Sequence, residues 1–409
     1  MIFINIFTYR LLYFIFAPFI LFFGLFLSRK MRRFLLRRES TLKKQNQKTF
    51  WVHVSSGEFE HAKPLLRKLK EEESNTKIVV TYSSPSYLKA IKNCKEVDFY
   101  TPFVLDLRAP VSHLIRTINP KIVLISRTDL WPELLDQLKA KKIPSMVFAR
   151  HENGSGLLTK KFSYPLTYQK LSHISFVAES DYKSYINIAT PNSHSIDGDP
   201  RVEEVFHKQR LVDINESEIF KDSLILGSTW PEDIKIIKGP LKDLLQADKL
   251  KKLIIAPHET EPHIIEDLIQ TFKEFEPRLF SNDNDLNSKV IVVDKIGHLF
   301  GLYPRCEIAF VGGSYKKKVH SVLEPLSFGL PVLVGPKHLN SYEAKSCLKK
   351  GYVINCETSN EFKSSLEDLL NSRPPRLEIT NQVKNTKVPS QLVWEQIDQL
   401  VQLSQQKSL

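Results

Sequence analysis

Two stretches of this 409-residue chain pair reactive side chains with glycine in a way that suits group-transfer chemistry. The first is Ser55-Ser56-Gly57-Glu58, which follows the apolar run Phe50–Ser55 and precedes an amphipathic stretch over 59–72. Gly57 permits a tight turn, and Glu58 falls near the start of the following helix. A carboxylate there has two uses. It complements the helix dipole, an effect of about 0.3–1 kcal/mol. It can also act as a general base, provided a substrate hydroxyl comes within hydrogen-bond reach. The second stretch runs from Phe310 to Pro336 and contains Gly312-Gly313, Ser314, His320, Glu324 and Gly335-Pro336. Its apolar start, Ile308–Val311, reads as one buried strand. Gly312 and Gly313 mark a backbone that turns tightly or approaches something closely. A helix is predicted over 320–328, stopped by Gly329 and Pro331, with a second strand over 330–334. Glycines at the carboxyl end of a strand, followed by a helix N-terminus, suit a phosphate. Glu324 would then lie where a carboxylate can reach ribose hydroxyls.

These stretches need a scaffold, and the pattern of apolar runs supplies one. Strands are predicted over 50–55, 77–82, 121–126 and 144–149, with helices between them, Phe59–Glu72 being the clearest. Strands over 223–226, 252–256 and 290–293 repeat the alternation. Strands alternating with helices indicate a parallel, doubly wound α/β sheet. Length allows two such domains. The division expected is 1–48, an apolar segment with a basic linker; 49–208, a first Rossmann-like domain; 209–385, a second; and 386–409, a final helix.

Composition excludes several classes. Hydrophobic residues make up 42% and charged residues 25%, as in globular proteins. The four cysteines, Cys94, Cys306, Cys347 and Cys356, lack Cys-x-x-Cys spacing, which argues for neither a zinc site nor a disulfide framework. No metal is expected, because His, Asp and Glu do not cluster at ligand spacing. The net charge of +12 is local: residues 1–48 hold ten Lys and Arg against Glu39 alone, a balance of +9 that leaves +3 for the rest. Nucleic acid binding is therefore not indicated. Leu11 to Ser28 is an apolar and aromatic run near the lower limit for spanning a bilayer. Arg29, Lys30, Arg32 and Arg33 follow it directly, which predicts a membrane anchor with the remainder on the cytoplasmic face. Pro18 leaves open whether the segment spans the membrane or lies in its interface.

Taken together, Gly-Gly-Ser, His320, Leu323-Glu324-Pro325, Gly329-x-Pro331-Val332 and Gly335-Pro336 with Asn340 resemble the donor-binding segment of the 3-deoxy-D-manno-octulosonic acid (Kdo) transferases. Ser55-x-Gly57-Glu58 resembles the family's catalytic segment. Arg127-Thr128-Asp129-Leu130-Trp131-Pro132 resembles its acid-Thr-acid-Leu-Trp-Pro, with Arg127 in place of the first acid. Phe148-Ala149-Arg150 resembles Asn-Ala-Arg, and Gly227-Ser228-Thr229 and Pro257-His258 fall where relatives have Gly-Ser-Thr and Pro-Arg-His. A further departure is Lys318-Val319-His320-Ser321, where relatives have Gly-Gly-His-Asn. The resemblance implies two Rossmann-like domains facing a cleft (GT-B). It implies an inverting transfer of Kdo from CMP-Kdo to a lipid A precursor, without a cofactor, at the inner membrane. Glu58 and Asp129 would be catalytic. Ser228, Thr229, His258, Gly312, Gly313, Ser314, His320, Glu324 and Asn340 would bind the donor, and Ser56, Gly57 and Arg150 the acceptor. Two alternatives remain open at this level: a GT-B enzyme using another nucleotide sugar, and a non-catalytic adaptor of the same fold.

Overall fold

A computed structural model describes residues 5–27, 39–151, 166–186, 192–213, 218–282, 286–384 and 388–406. The chain divides into two compact units, Met1–Glu204 with Lys387–Leu409, and Val205–Thr386.

The first unit is built on a seven-stranded, all-parallel sheet. Its strands are β1 (Thr49–Val54), β2 (Ile78–Tyr82), β3 (Phe99–Pro102), β4 (Pro120–Ser126), β5 (Ser145–Arg150), β6 (His173–Phe176) and β7 (His194–Ile196). Their order is β3-β2-β1-β4-β5-β6-β7. β1 is central and covered on both faces, so it is buried along its whole length. On one face Phe50, Val52 and Val54 pack against Phe59, Leu65, Leu66 and Leu69 of the helix Phe59–Glu72. On the other, Trp51 joins Val111, Leu114 and Leu134. The C-terminal helix Pro389–Gln406 lies on this unit: Val393, Ile397 and Val401 complete the core around Phe50, and Ser390 bonds Glu203. Residues 39–48, part of the segment expected to be a linker, are tied to this unit. Thr41 N donates to Tyr100 O and Gln45 N to Thr117 O.

The second unit repeats the plan with β8 (Ser223–Thr229), β9 (Lys252–Pro257), β10 (Arg278–Leu279), β11 (Val290–Val292), β12 (Ile308–Val311), β13 (Val332–Val334) and β14 (Val353–Asn355). All seven are parallel, in the order β10-β11-β9-β8-β12-β13-β14. In both sheets the strand order reverses at a central pair, β1/β4 and β8/β12. The crevice outside the carboxyl ends of such a pair is where doubly wound sheets hold ligands.

Two sequence expectations need correction. No long helix follows the Gly-Gly turn. Residues 314–322 form a wrapped loop, and only Leu323–Ser327 is helical. The loop prevails because its backbone is already committed: Lys317 N and Lys318 N donate to Gly313 O, and His320 N to Gly312 O. Five residues are too short for a helix-dipole phosphate site of the kind the sequence suggested. The strand expected over 223–226 also runs on through Gly227, Ser228 and Thr229, with a bulge between Gly227 and Thr229.

At the N-terminus, α1 spans Ile6–Leu27 with Pro18 inside it. Its first turns dock on the first unit. Tyr9 donates to Asp106, and Arg10 bridges Glu133 at 2.6 Å and Asp136 at 2.8 Å. Beyond them the helix shows apolar side chains to solvent, with Phe14 70% and Phe22 59% exposed. Among the described residues no helix is long and apolar enough to cross a membrane. The basic cluster Arg29–Arg33 lies outside the described residues.

Candidate active site

The loops after β1 and β4 bring Glu58 and Asp129 to the first switch point. Glu58 opens the helix Phe59–Glu72 but does not cap it with its side chain. Its carboxylate turns toward β4 and is half-buried, not the exposed helix-start charge suggested by its position. Oε1 accepts from Thr128 Oγ1 at 2.6 Å and Oε2 from Ser55 N at 3.3 Å, while Ser126 Oγ donates to the Glu58 carbonyl at 3.0 Å. Burial pushes the carboxyl above the usual Glu range, opposed by the Thr128 hydroxyl and reinforced by Asp129. Such a group is a stronger base than a free glutamate.

Asp129 is held differently. Its Oδ2 accepts from His53 Nε2 at 2.9 Å and from Ser83 Oγ. Burial pushes its carboxyl up, but the His53 and Ser83 bonds outweigh this and hold it below the usual Asp range. Asp129 is thus a firmly ionised, fully engaged carboxylate, suited to fixing its neighbours. His53 is itself fully buried in β1, its Nδ1 2.8 Å from Thr81.

The proposed acceptor residues divide. Ser56 lies at the edge of the site, its hydroxyl 2.7 Å from that of Ser86. Gly57 is not in the left-handed region, and a Cβ there would meet the Tyr87 ring at 3.5 Å, an ordinary contact. Its turn therefore does not require glycine. Arg150 is no solvated loop cation: it is 7% exposed, donates to the Arg127 carbonyl at 3.2 Å, and stacks over Tyr168.

A cluster missed in the sequence lies beside Glu58. His61, one turn into the helix, meets Asp199 at 2.6 Å, 138 residues away, and accepts from Arg127 Nη1 at 3.0 Å. Burial drives the His61 imidazole down, and burial of Asp199 is overcome by His61 and Arg127, which hold it well below the usual Asp range. The only local signal was an ionisable residue on the core face of an amphipathic helix.

At the second switch point the glycines have a defined cause. A Cβ on Gly312 would lie 2.4 Å from Ser228 O and 2.6 Å from Thr229 Cα, so the backbone of β12 passes directly against the end of β8. Gly313 is left-handed, φ 86°, and a Cβ there would meet Lys318 O at 2.4 Å. The close approach read from the sequence is thus to the protein's own strand. Asp233 organises it. Fully buried, its carboxylate accepts Gly313 N at 2.7 Å, Trp230 N at 2.9 Å and Tyr315 N at 3.2 Å. Burial raises its carboxyl even against these three donors.

Around that turn three rings stack: Trp230 on His258 at 4.6 Å, and His258 on His320 at 4.4 Å. Trp230 Nε1 donates to His320 Nε2 at 3.0 Å, so His320 carries any neutral-state proton on Nδ1. Burial, with His258 and Lys318 nearby, lowers His320 to about 4. Lys316 sits 3.6 Å over the Trp230 ring. A cavity of 620 Å³ opens beside this stack, lined by Thr229, Trp230, Pro257, His263 and Lys316 among others. The Thr229 hydroxyl is buried there without a hydrogen-bond partner among the described residues. Ser228, φ 53°, and Arg127, φ 61°, hold left-handed backbone at the two switch points, a conformation costing side-chain-bearing residues roughly 1–2 kcal/mol.

Two other predicted donor residues, Ser314 and Asn340, brace the turn itself. Ser314 is fully buried and accepts Gly335 N at 2.7 Å. Asn340 clips the loop by bonding both N–H and C=O of Val319. Glu324 is half-buried at the second position of the short helix. Among the described residues no group of His, Cys, Asp and Glu could hold a metal ion.

Two doubly wound parallel sheets, each with polar groups at its switch point, define an architecture of the GT-B type. UDP-GlcNAc 2-epimerase from Neisseria meningitidis shares this fold, with a TM-score of 0.62 over 86% of this chain and all of its own, at 14% identity. Sequence narrows the class. Residues 29–203 match the family described as 3-deoxy-D-manno-octulosonic-acid transferase (kdotransferase). The Haemophilus influenzae 3-deoxy-D-manno-octulosonic acid transferase is 29% identical over 349 residues, 81% of each chain. Its Aquifex aeolicus counterpart is 28% identical over 329 residues, 78% of this chain and 85% of its own. The chain is a relative of the Kdo transferases and, like them, a glycosyltransferase.

Proposed function

We propose that this enzyme transfers Kdo with inversion from CMP-Kdo to a lipid A precursor, lipid IVA, at the cytoplasmic face of the inner membrane. The observation that carries the mechanism is the half-buried Glu58 carboxylate, aimed by Thr128 and Ser55 at the β1/β4 switch point. Glu58 takes the proton of the lipid hydroxyl. The hydroxyl oxygen forms its bond to the anomeric carbon of Kdo, and the bond from that carbon to the phosphate oxygen breaks. CMP leaves with that electron pair. One displacement inverts the anomeric centre. The donor is held by the second domain, around the Trp230–His258–His320 stack, with Thr229, Gly313 and Glu324 completing the site. Lys316, over the Trp230 ring, is a cation suited to the phosphate charge of the donor.

The exposed apolar side of α1 and the basic residues that follow it in sequence support membrane attachment. Because residues 39–48 bond the first domain, the informative truncation removes 1–38. That protein is expected in the soluble fraction with both domains folded, and its retention on washed membranes would reject α1 as the attachment. For the reaction itself, the full-length protein should release CMP from CMP-Kdo in the presence of lipid IVA. Release of UDP from a UDP-sugar instead would assign a different donor.

A further inference from the structure

Arg127 is the first residue past β4, and its strained backbone is fixed on both sides. Its N–H donates to Phe148 O at 2.9 Å, and its carbonyl accepts from Arg150. Its guanidinium is fixed as well. Arginine only donates, so His61 Nε2 is the acceptor of the 3.0 Å bond and His61 Nδ1 carries the proton shared with Asp199. That assigns a neutral imidazole, in keeping with the buried setting that drives it down. Among the described residues the one carboxylate within 4 Å of the Arg127 guanidinium is that of Asp199, at 3.9 Å, and it is already engaged by His61 and by Arg201 N at 2.9 Å. The Arg127 charge is therefore braced without being closely neutralised.

Both neighbours of Arg127 in the β4 end touch Glu58: Thr128 through its hydroxyl and Ser126 through the Glu58 carbonyl. The charges that face the Glu58 carboxylate are Asp129, which disfavours its ionised form, and Arg127, which favours it. His53 stands behind Asp129; His61 and Asp199 stand behind Arg127; Arg150 holds the Arg127 carbonyl from β5. A half-buried carboxylate beside a like charge drifts toward the protonated form, which cannot accept a proton.

We propose that Arg127, braced by His61 and Asp199, is a positioning residue whose charge keeps Glu58 ionised as the general base. This rests on Glu58 being the base, and the two claims separate in one experiment. The acid limb of kcat/KM against pH reports the essential base of the free enzyme. It is measured with the full chain, CMP-Kdo and lipid IVA. In R127M the limb should move to higher pH by up to about one unit, the lower end of the shift an adjacent opposite charge produces, with the plateau little changed. R127K, which keeps the charge, should return the limb to within a few tenths of a unit. Should R127M fail to fold, R127Q retains a donor toward His61 and carries the same test. A limb that stays in place in the uncharged variants overturns the proposal. So does a rise confined to acceptor KM, which would make Arg127 a contact for an anionic acceptor. E58Q should lose turnover across the whole range; an E58Q enzyme with normal turnover and an intact acid limb rejects Glu58 as the base, whatever Arg127 does.

Discussion

The two switch points solve one problem with different materials. In the first domain the carboxyl edge is built from ionisable side chains that act on one another: Glu58 beside Asp129, Asp129 with His53, His61 with Asp199 and Arg127. In the second, a single buried carboxylate, Asp233, gathers three backbone N–H groups, and the exposed functional surface is a stack of rings with His320 neutral. An edge of coupled charges can be tuned for proton transfer, because each group's ionisation depends on the others. An edge of backbone and rings is fixed in shape, which suits holding a ligand. The lesson is that chemistry and binding are divided by the kind of atoms at each edge, even though the sheets beneath them are nearly superimposable in topology.

This division can be broken at its two pivots. Glu58→Gln keeps size and removes basicity. It should lower kcat by about 10²–10⁴, the usual contribution of a general base, with little change in donor affinity or thermal midpoint. Steady-state kinetics beside donor calorimetry check it, and a parallel loss of donor binding would blur the distinction. Asp233→Ala should do the reverse. Three N–H groups lose a charged acceptor, so the second domain should lose about 2–4 kcal/mol of stability in denaturant titration, with donor binding falling alongside. Stability that holds would mean the glycine turn is maintained by close packing at Gly312 alone. Next in size, Glu324→Ala should weaken CMP-Kdo binding by about 1–3 kcal/mol by calorimetry if its carboxylate accepts from the ribose. Unchanged affinity would confine the donor to the ring stack and its cavity.

The smallest effect concerns pH. His320 titrates near 4 in the folded protein against about 6.5 when unfolded, so the unfolded chain binds the extra proton first. Stability from this group is complete above about pH 6.5 and falls as pH drops toward 4. Partial exposure limits the loss to about 1 kcal/mol. Thermal melts at pH 7 and 5 should show the drop in the natural protein and a shallower one in His320→Phe. An equal drop in both would place the acid sensitivity elsewhere.

How much of this was legible beforehand depended on sequence distance. Ile308–Val311 and Phe59–Glu72 were readable to the residue, because their periodicity is local and their stops, Gly312 and the Ser-Gly turn, stand beside them. The overextended helix over 320–328 had the right apolar residues but lacked any sign that His320 and Lys318 were bonded back to the glycines. Gly312 was correctly flagged as a place of close approach, but the approaching partner, Ser228, is 84 positions earlier. The His61–Asp199 pair spans still more chain. Fold class follows from short-range pattern. The electrostatics of a site follow from pairs that only topology brings together.

The C-terminal helix carries one more consequence. Val393, Ile397 and Val401 belong to the core of the first domain, yet the ribosome makes them after every residue of the second. Residues 205–386 form an uninterrupted insertion and can reach their native state while the chain is still growing. The first domain begins its synthesis earlier and finishes its packing later, waiting on Pro389–Gln406 to cover β1 and its helix. The usual amino-to-carboxyl order of co-translational folding is therefore inverted at the last step, and a nascent chain stalled near residue 386 would expose the Phe50 face to chaperones.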